Sequence, residues 1–303
     1  MTITLLLGGV ILFIYSIDIL SKDLTSFSLN KVKQKLTSLT SSTSKSLLMG
    51  FISTALIQSS SAVIMLTISL INANILTFNN SIGIMLGSNI ATTITSFIVG
   101  LNLEKISAYI MLIGLLLQFG KKKKIGQITF SIGLLFFSLF LMSTGANNLK
   151  DSAFFYSYVQ GVSSSFILSI IVGALLTIIL QSSSVFITIL QILALSNFLS
   201  VYQAIPFIFG ANIGTTIDSF YGITTAKKDS KKLAHFNLFF NIITVIVFSM
   251  LIKPFKIILD YIIKSFNFNV AINIAIVNIC FNLLGVMLTL PFINKIKRYY
   301  SKW

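Results

Sequence analysis

The chain has 303 residues, 55% of them hydrophobic and only 10% charged, where a soluble domain has about 25% charged residues. That excludes a water-exposed globule and points to an all-α integral membrane protein. The formal net charge of +15 sits in short basic clusters beside apolar runs, with no basic, aromatic-rich domain outside them, so it reads as a topology signal and nucleic acid is not an expected partner.

The first apolar run, Ile3 to Leu20, has no basic leader and no small-residue cleavage site before Ser21-Lys22, and reads as a membrane span rather than a removable signal. Asp18 near its end has two readings, a functional carboxylate or a side chain reaching the headgroups. Ser21 to Ser46, rich in Ser, Thr and Lys, reads as an amphipathic surface segment in contact with headgroups. Further spans able to cross about 30 Å of hydrocarbon are expected at Ser81 to Gly100, Ile106 to Phe119, Ile125 to Gly145, Gln203 to Thr224, Ala234 to Ile252 and Ala271 to Phe292. Pro254 to Phe268 reads as an interfacial connector. The single cysteine, Cys280, lies in an apolar run, which leaves no disulfide framework and argues against a metal cluster.

Two apolar stretches remain, Leu47 to Ile71 and Phe166 to Leu195. Each is interrupted by a Gln-Ser-Ser-Ser tetrad, Gln58-Ser59-Ser60-Ser61 and Gln181-Ser182-Ser183-Ser184. The tetrads are 123 residues apart, and at that offset eighteen of the 47 pairs between Gly50 and Ser96 are identical without an insertion. Gly50 falls on Gly173, Thr54 on Thr177, Gly87 on Gly210, Asn89 on Asn212, Thr92 on Thr215 and Thr93 on Thr216. This is an internal repeat, of a length that suits the duplicated half of a transporter.

Lysine placement decides whether the interrupted stretches cross or turn back. If the first is a re-entrant hairpin, 17 of the 22 basic residues fall on one face, from the loop Ser21 to Lys45, the run Lys121 to Lys124, Lys227-Lys228, Lys231-Lys232 and the tail Lys295 to Lys302. The remaining five, Lys105, Lys150, Lys253, Lys256 and Lys264, fall on the other. If it crosses, the asymmetry collapses. The expected architecture is therefore two inverted-topology repeats, each with three transmembrane helices and a re-entrant helical hairpin, plus a seventh C-terminal span. Residues 1–123 form the first repeat with hairpin 47–71, and residues 124–252 the second with hairpin 166–195. Residues 253–303 supply the connector, the last span and a basic tail. The N-terminus is expected outside and the C-terminus in the cytoplasm, with the chain multi-pass in the cell membrane.

A broken helix is tolerated in a membrane only where protein or water encloses it. Each tetrad frees backbone amides at the start of a half-helix, where the helix dipole attracts anions. Serine hydroxyls and the glutamine amide can serve either an anion or a cation, so the set suits a small oxyanion with co-bound Na+. The second repeated element, Gly87-Ser88-Asn89-Ile90-Ala91-Thr92-Thr93 and Gly210-Ala211-Asn212-Ile213-Gly214-Thr215-Thr216, keeps uncharged oxygens within a span. These suit a hard monovalent cation, although such hydroxyls also bond back to helix carbonyls. Asp218 is an intramembrane carboxylate and a candidate for Na+ or proton binding, the alternative being a pair with a polar neighbour. His235 reads as interfacial, and Gly83 with Gly87 as a packing pair.

These paired motifs, with Gly133-Leu134-Leu135-Phe136 and Met142-Ser143, resemble the sodium/phosphate cotransporter family related to the type II Na+/Pi symporters. The likeness covers most of residues 1–250. It implies Na+-driven uptake of inorganic phosphate between two hairpin tips, with Gln58, Ser59, Ser60, Asn89, Gln181, Ser182, Ser183 and Asn212 binding phosphate. It also implies Ser61, Thr92, Thr93, Ser184, Thr215 and Thr216, with Asp218, as Na+ ligands. Ala91 departs from the family's glycine, and the helical PhoU-type domain of many relatives is not expected here. Beyond phosphate, Na+ and the bilayer, a homodimer is a candidate assembly. No catalytic residues are expected, since nucleophile-elbow, zinc and phosphate-loop signatures are all missing. The rival readings are a transporter of another small oxyanion and a channel whose filter is the re-entrant hairpins.

Overall fold

The computed structural model describes residues 2–26, 42–120, 122–150, 152–221 and 228–303. Every regular element among them is helical. Lys31, Lys33, Lys35, Lys121 and Lys227, on which part of the topology reading rests, and most of the Ser21 to Ser46 segment lie outside the described residues.

Among the described residues, five helices are long and apolar enough to cross a bilayer. They are α1 (Thr2–Ser26), the pair α4 (Phe78–Ala91) and α5 (Thr93–Gly100), α7 (Lys123–Asn147), α13 (Lys228–Met250), and α15 (Val270–Thr289) continuing into α16 (Ile293–Lys302). The expected span at Ile106 to Phe119 forms α6 (Ser107–Gln118), only 12 residues or about 18 Å long. The one expected at Gln203 to Thr224 forms α11 (Val201–Gly214), a 3-10 turn over Thr215–Ile217 and the one-turn α12 (Asp218–Tyr221). Both fall short of the roughly 20 residues a straight crossing takes, α11 because its helix tightens at Thr215. A helix that hydropathy alone did not reveal, α8 (Ala153–Ser163), meets α9 (Phe166–Leu180) at 107°. The connector is α14 (Ile252–Phe266), which buries Leu259, exposes Ile257, Ile258 and Tyr261, and is held by the Tyr202 phenol donating to Asp260.

Each interrupted stretch is a hairpin, α2 (Thr43–Ile57) with α3 (Ser60–Asn72), and α9 with α10 (Ser183–Leu195). The direction of the arms follows from close approaches. A Cβ on Gly87 would meet the Leu47 carbonyl oxygen at 1.9 Å, and one on Gly83 would meet that of Thr43 at 2.6 Å, so α2 runs alongside α4 in the same sense. The start of α3 returns to the end of α4, where Ser88 Oγ lies 3.5 Å from the Ser60 carbonyl. Hence α3 runs opposite to α2. A Cβ on Gly50 would likewise meet the Ile84 carbonyl oxygen at 2.0 Å, and the second hairpin repeats the Gly87 and Gly50 contacts, with Gly210 against the Ile170 carbonyl at 2.0 Å and Gly173 against that of Phe207 at 2.4 Å. These are the residues the 123-residue offset assigns to Gly87, Leu47, Gly50 and Ile84. A repeat visible as sequence identity is thus also a repeat of contacts.

The lipid-facing and inward surfaces separate as a bilayer demands. Ile167, Ile171, Leu175 and Ile179 make an exposed apolar stripe on α9, and Phe239, Ile243, Ile246 and Met250 make one on α13. Serine, threonine and asparagine side chains are turned inward instead, among them Ser16, Ser131, Ser138, Asn237 and Asn278.

Candidate functional site

The turn inside each hairpin is made by its glutamine. Gln58 and Gln181 cap α2 and α9 in the left-handed region, at φ 54° and 51°, a conformation uncommon outside glycine and asparagine. The next residue then caps the following half-helix. Ser59 Oγ accepts from the Ala62 amide at 3.2 Å, and Ser182 Oγ from the Val185 amide at 3.3 Å. This N-cap serves one of the four unpaired amides at a helix start and leaves those of the next two serines outside the helix's own ladder.

Both tips open onto one cavity of about 310 Å³, lined by Gln58 to Ser61 from one hairpin, Gln181 to Ser184 from the other, and Thr92 and Thr215. Among the described residues, Asp18 is the only charged one in the cavity's lining, and it carries an ion pair with Lys22 at 2.5 Å. The sequence left Asp18 between two readings; the fold places it at the cavity.

The remaining expected site residues lie outside this lining. Asn89 and Asn212 are buried, donating to Asn237 Oδ1 and Asn278 Oδ1, each at 3.4 Å. Thr93 and Thr216 are buried, and their hydroxyls bond the carbonyls of Ile90 and Ile213 at 2.7 Å. Thr92 and Thr215 also bond back, to Ser88 and Ala211, yet both reach the cavity. Asp218 stands one layer behind the wall and accepts from the Ser61 hydroxyl at 2.5 Å. Its repeat counterpart Thr95 donates to Gln58 Oε1 at 3.0 Å, so both positions brace the first tetrad. Gln58 is held further by its Nε2 donating to the Ala55 carbonyl at 2.5 Å. Gln181 is exposed, and among the described residues its side chain has no such brace. His235 stacks edge-on against Phe220 and Trp303.

Sequence reasoning missed the partners of Asn89 and Asn212. They come from Asn237-Leu238-Phe239-Phe240-Asn241 on α13 and Asn278-Ile279-Cys280-Phe281-Asn282 on α15, two copies of Asn-x-x-Phe-Asn that are 41 residues apart. That second spacing was the available signal.

Paired helical hairpins whose polar tips share one cavity, inside a bundle with an apolar exterior, define a multi-pass membrane transporter. Comparison with known proteins gives the family. The profile described as Na+/Pi-cotransporter matches residues 12–144 and again residues 147–299, and the chain belongs to that family. YqeW of Bacillus subtilis is 28% identical over 94% of this chain and 92% of its own length. YjbB of Escherichia coli, which bears the provisional name of an inorganic phosphate export protein, is 22% identical over 81% of the chain but only 45% of its own length. The human sodium-dependent phosphate transport protein 2B is 36% identical over 98 residues, 31% of this chain and 14% of that protein. No solved structure matches.

Proposed function

We propose that this chain is a secondary active transporter that takes up inorganic phosphate by Na+-coupled symport, with the site exposed alternately to the two sides of the cell membrane. The observation that carries the reading is the convergence of both Gln-Ser-Ser-Ser tips, with Thr92 and Thr215, on a single cavity whose wall, among the described residues, holds no lysine or arginine. A phosphate held there by hydroxyls and helix-start amides still needs its charge offset, and a co-bound cation supplies that. Gln58, Ser59, Ser60, Gln181, Ser182 and Ser183 are the phosphate-binding set in this reading. Ser61, Thr92, Ser184 and Thr215 are the Na+ ligands, and Asp218 tunes the first set through Ser61. Asn89, Asn212, Thr93 and Thr216 keep supporting roles behind the wall.

The arms of the hairpins are 15 and 13 residues in both copies, about 20 Å each, enough to reach the bilayer midplane and return. Hairpins entering from opposite leaflets would bring both tips together there, and this is the inverted plan we adopt, with residues 1–123 and 124–252 as the two halves. On this plan the N-terminus is outside, and α15 and α16 deliver the basic tail to the cytoplasm.

The test is labelled-phosphate flux in proteoliposomes under Na+, K+ and pH gradients. Saturable uptake is expected with an inward Na+ gradient, and reversal of that gradient should drive efflux. Gln58→Ala and Gln181→Ala should each weaken transport about tenfold or more, since a hydrogen bond to a charged group is worth about 1.5–3 kcal/mol. Flux driven by pH and indifferent to Na+ would overturn the coupling, and unchanged flux in both mutants would overturn the site.

A further inference from the structure

Each of the helices that carry Thr92 and Thr215 is interrupted at that threonine, α4 ending at Ala91 and α11 at Gly214. Both interruptions are spanned by the same kind of device. On α13, Asn237 accepts from Asn89 Nδ2 at 3.4 Å and donates to Ser219 Oγ at 2.9 Å. On α15, Asn278 accepts from Asn212 Nδ2 at 3.4 Å and donates to Ser96 Oγ at 3.3 Å. Ser96 and Ser219 are themselves counterparts at the 123-residue offset. Each asparagine therefore joins the segment before the break in one repeat to the segment after the break in the other.

The correspondence extends outward. Asn241 Nδ2 donates to the carbonyl and Oδ1 of Asn237, at 2.9 and 3.4 Å, and Asn282 does the same to Asn278, at 3.0 and 3.3 Å. Both helices thus hold the bridging asparagine by a second one a turn later. All four amides are about 1% exposed. Moreover, Asn241 Oδ1 and Asn282 Oδ1 are both buried with no donor among the described residues, so each loses its hydration without a bond in return. Packing alone would favour apolar side chains at four such positions. Two independent helices keep the same costly arrangement around the same pair of breaks.

We infer that Asn237 and Asn278 are positioning residues of the transport site, a crossed latch that fixes the two interrupted helices to each other and so sets where Thr92 and Thr215 stand in the cavity. Asn89 and Asn212 lie three residues, about 4.5 Å of helix, before those threonines. The latch also gives α15, which lies beyond the repeated segments, a defined task. It supplies half of a bridge whose other half comes from α13. What the latch serves rests on the transport reading above, whereas the labelling below needs neither phosphate nor Na+, so failure of one is distinguishable from failure of the other.

The experiment is the rate at which a water-soluble methanethiosulfonate modifies a cysteine introduced by Thr92→Cys or by Thr215→Cys, in a Cys280→Ala background and in lipid nanodiscs. Asn278→Ala should change the rate at both positions by about fivefold or more, the lower end of ordinary coupling energies. Because Asn278 itself touches Ser96, four residues past Thr92, a change at position 92 in this variant does not by itself separate the bridge from local packing; the exchange of partners and Ser219→Ala do. Exchanging the partners, Asn278→Ser with Ser96→Asn, should bring the rate at position 92 back toward the parent value. Thr289→Val, on the same helix outside the latch, should change neither rate. Ser219→Ala, a smaller perturbation acting through Asn237, should move the rate at position 92 even if Asn278→Ala fails to fold. An unchanged rate at position 92 in the folded Asn278→Ala or Ser219→Ala protein would overturn the latch, as would an exchange variant no better than either single change.

Discussion

Ala211→Ser should stabilise the protein, because it offers the buried Thr177 hydroxyl the partner its counterpart already has. In the first repeat Thr54 Oγ1 lies 2.6 Å from Ser88 Oγ. The offset of 123 carries this pair onto Thr177 and Ala211, and Thr177 Oγ1 is buried with no partner among the described residues. A hydrogen bond between membrane helices is worth about 0.6 kcal/mol on average and at most about 1.7, so Ala211→Ser should gain an amount in that range. At about 2 °C per kcal/mol for a chain of this size, the thermal midpoint in detergent should rise about 1–3 °C. Ser88→Ala should lower it by a similar amount, since it strands Thr54. Thr177→Val tests the origin of the effect. It removes the orphan without creating a bond and should also stabilise, and Ala211→Ser added to it should gain little. Additive gains would refute the pairing, because independent sites add and coupled ones do not. Destabilisation by Ala211→Ser equal to that of Ser88→Ala would refute the contact-level equivalence of the repeats.

Gly87→Ala and Gly210→Ala should each cost about 3 kcal/mol or prevent folding, read as lost monodisperse yield and a lower thermal midpoint. The added Cβ meets a backbone carbonyl oxygen at 1.9 and 2.0 Å, which no rotamer change can relieve. Gly8→Ala, with no atom within 4 Å of the new Cβ, should instead be neutral or gain up to about 1 kcal/mol from helix propensity. Asp18→Asn should lower the KM for phosphate about two- to fivefold at low ionic strength, with the gain fading in high salt. Were a divalent anion to sit about 8 Å away in the cavity that Asp18 lines, a carboxylate would oppose it by about 1 kcal/mol in a water-like medium. A rise in KM would show that Asp18 recruits the coupling cation instead.

Much of the fold could be read from the chain because the two repeats preserve the residues that touch. Gly50, Gly87, Gly173 and Gly210 are the points where hairpin and broken helix meet backbone to backbone, and no larger residue can stand there. The tetrads were legible for a similar reason. A polar knot within an apolar run requires a protein-enclosed setting, and both copies found the same cavity. The breaks at Thr92 and Thr215 were not legible, since a helix that tightens for a few residues inside an apolar run leaves no mark in hydropathy. Asp18 could not be placed either. Whether a carboxylate near a helix end reaches a headgroup or a cavity depends on which helices pack beside it, and that is settled by tertiary contacts alone.

The asparagines show why half of the candidate site escaped a search by repeat. Asn89 and Asn212 appeared as equivalent polar residues without apparent partners, and the natural reading was that they face a ligand. Their partners sit on α13 and α15 and obey a spacing of 41 residues instead of 123. Two helices can occupy equivalent places around a pair of repeats without being copies at the repeat's own offset, provided each presents an amide at the required point. Geometry constrains only that point, so the flanking residues differ, and little more than Asn-x-x-Phe-Asn remains in common. A polar residue buried in a membrane span is therefore evidence first of another polar residue, and only then of a ligand. Here the serines of the tetrads, with Thr92 and Thr215, line the cavity, while Asn89 and Asn212 donate to Asn237 and Asn278.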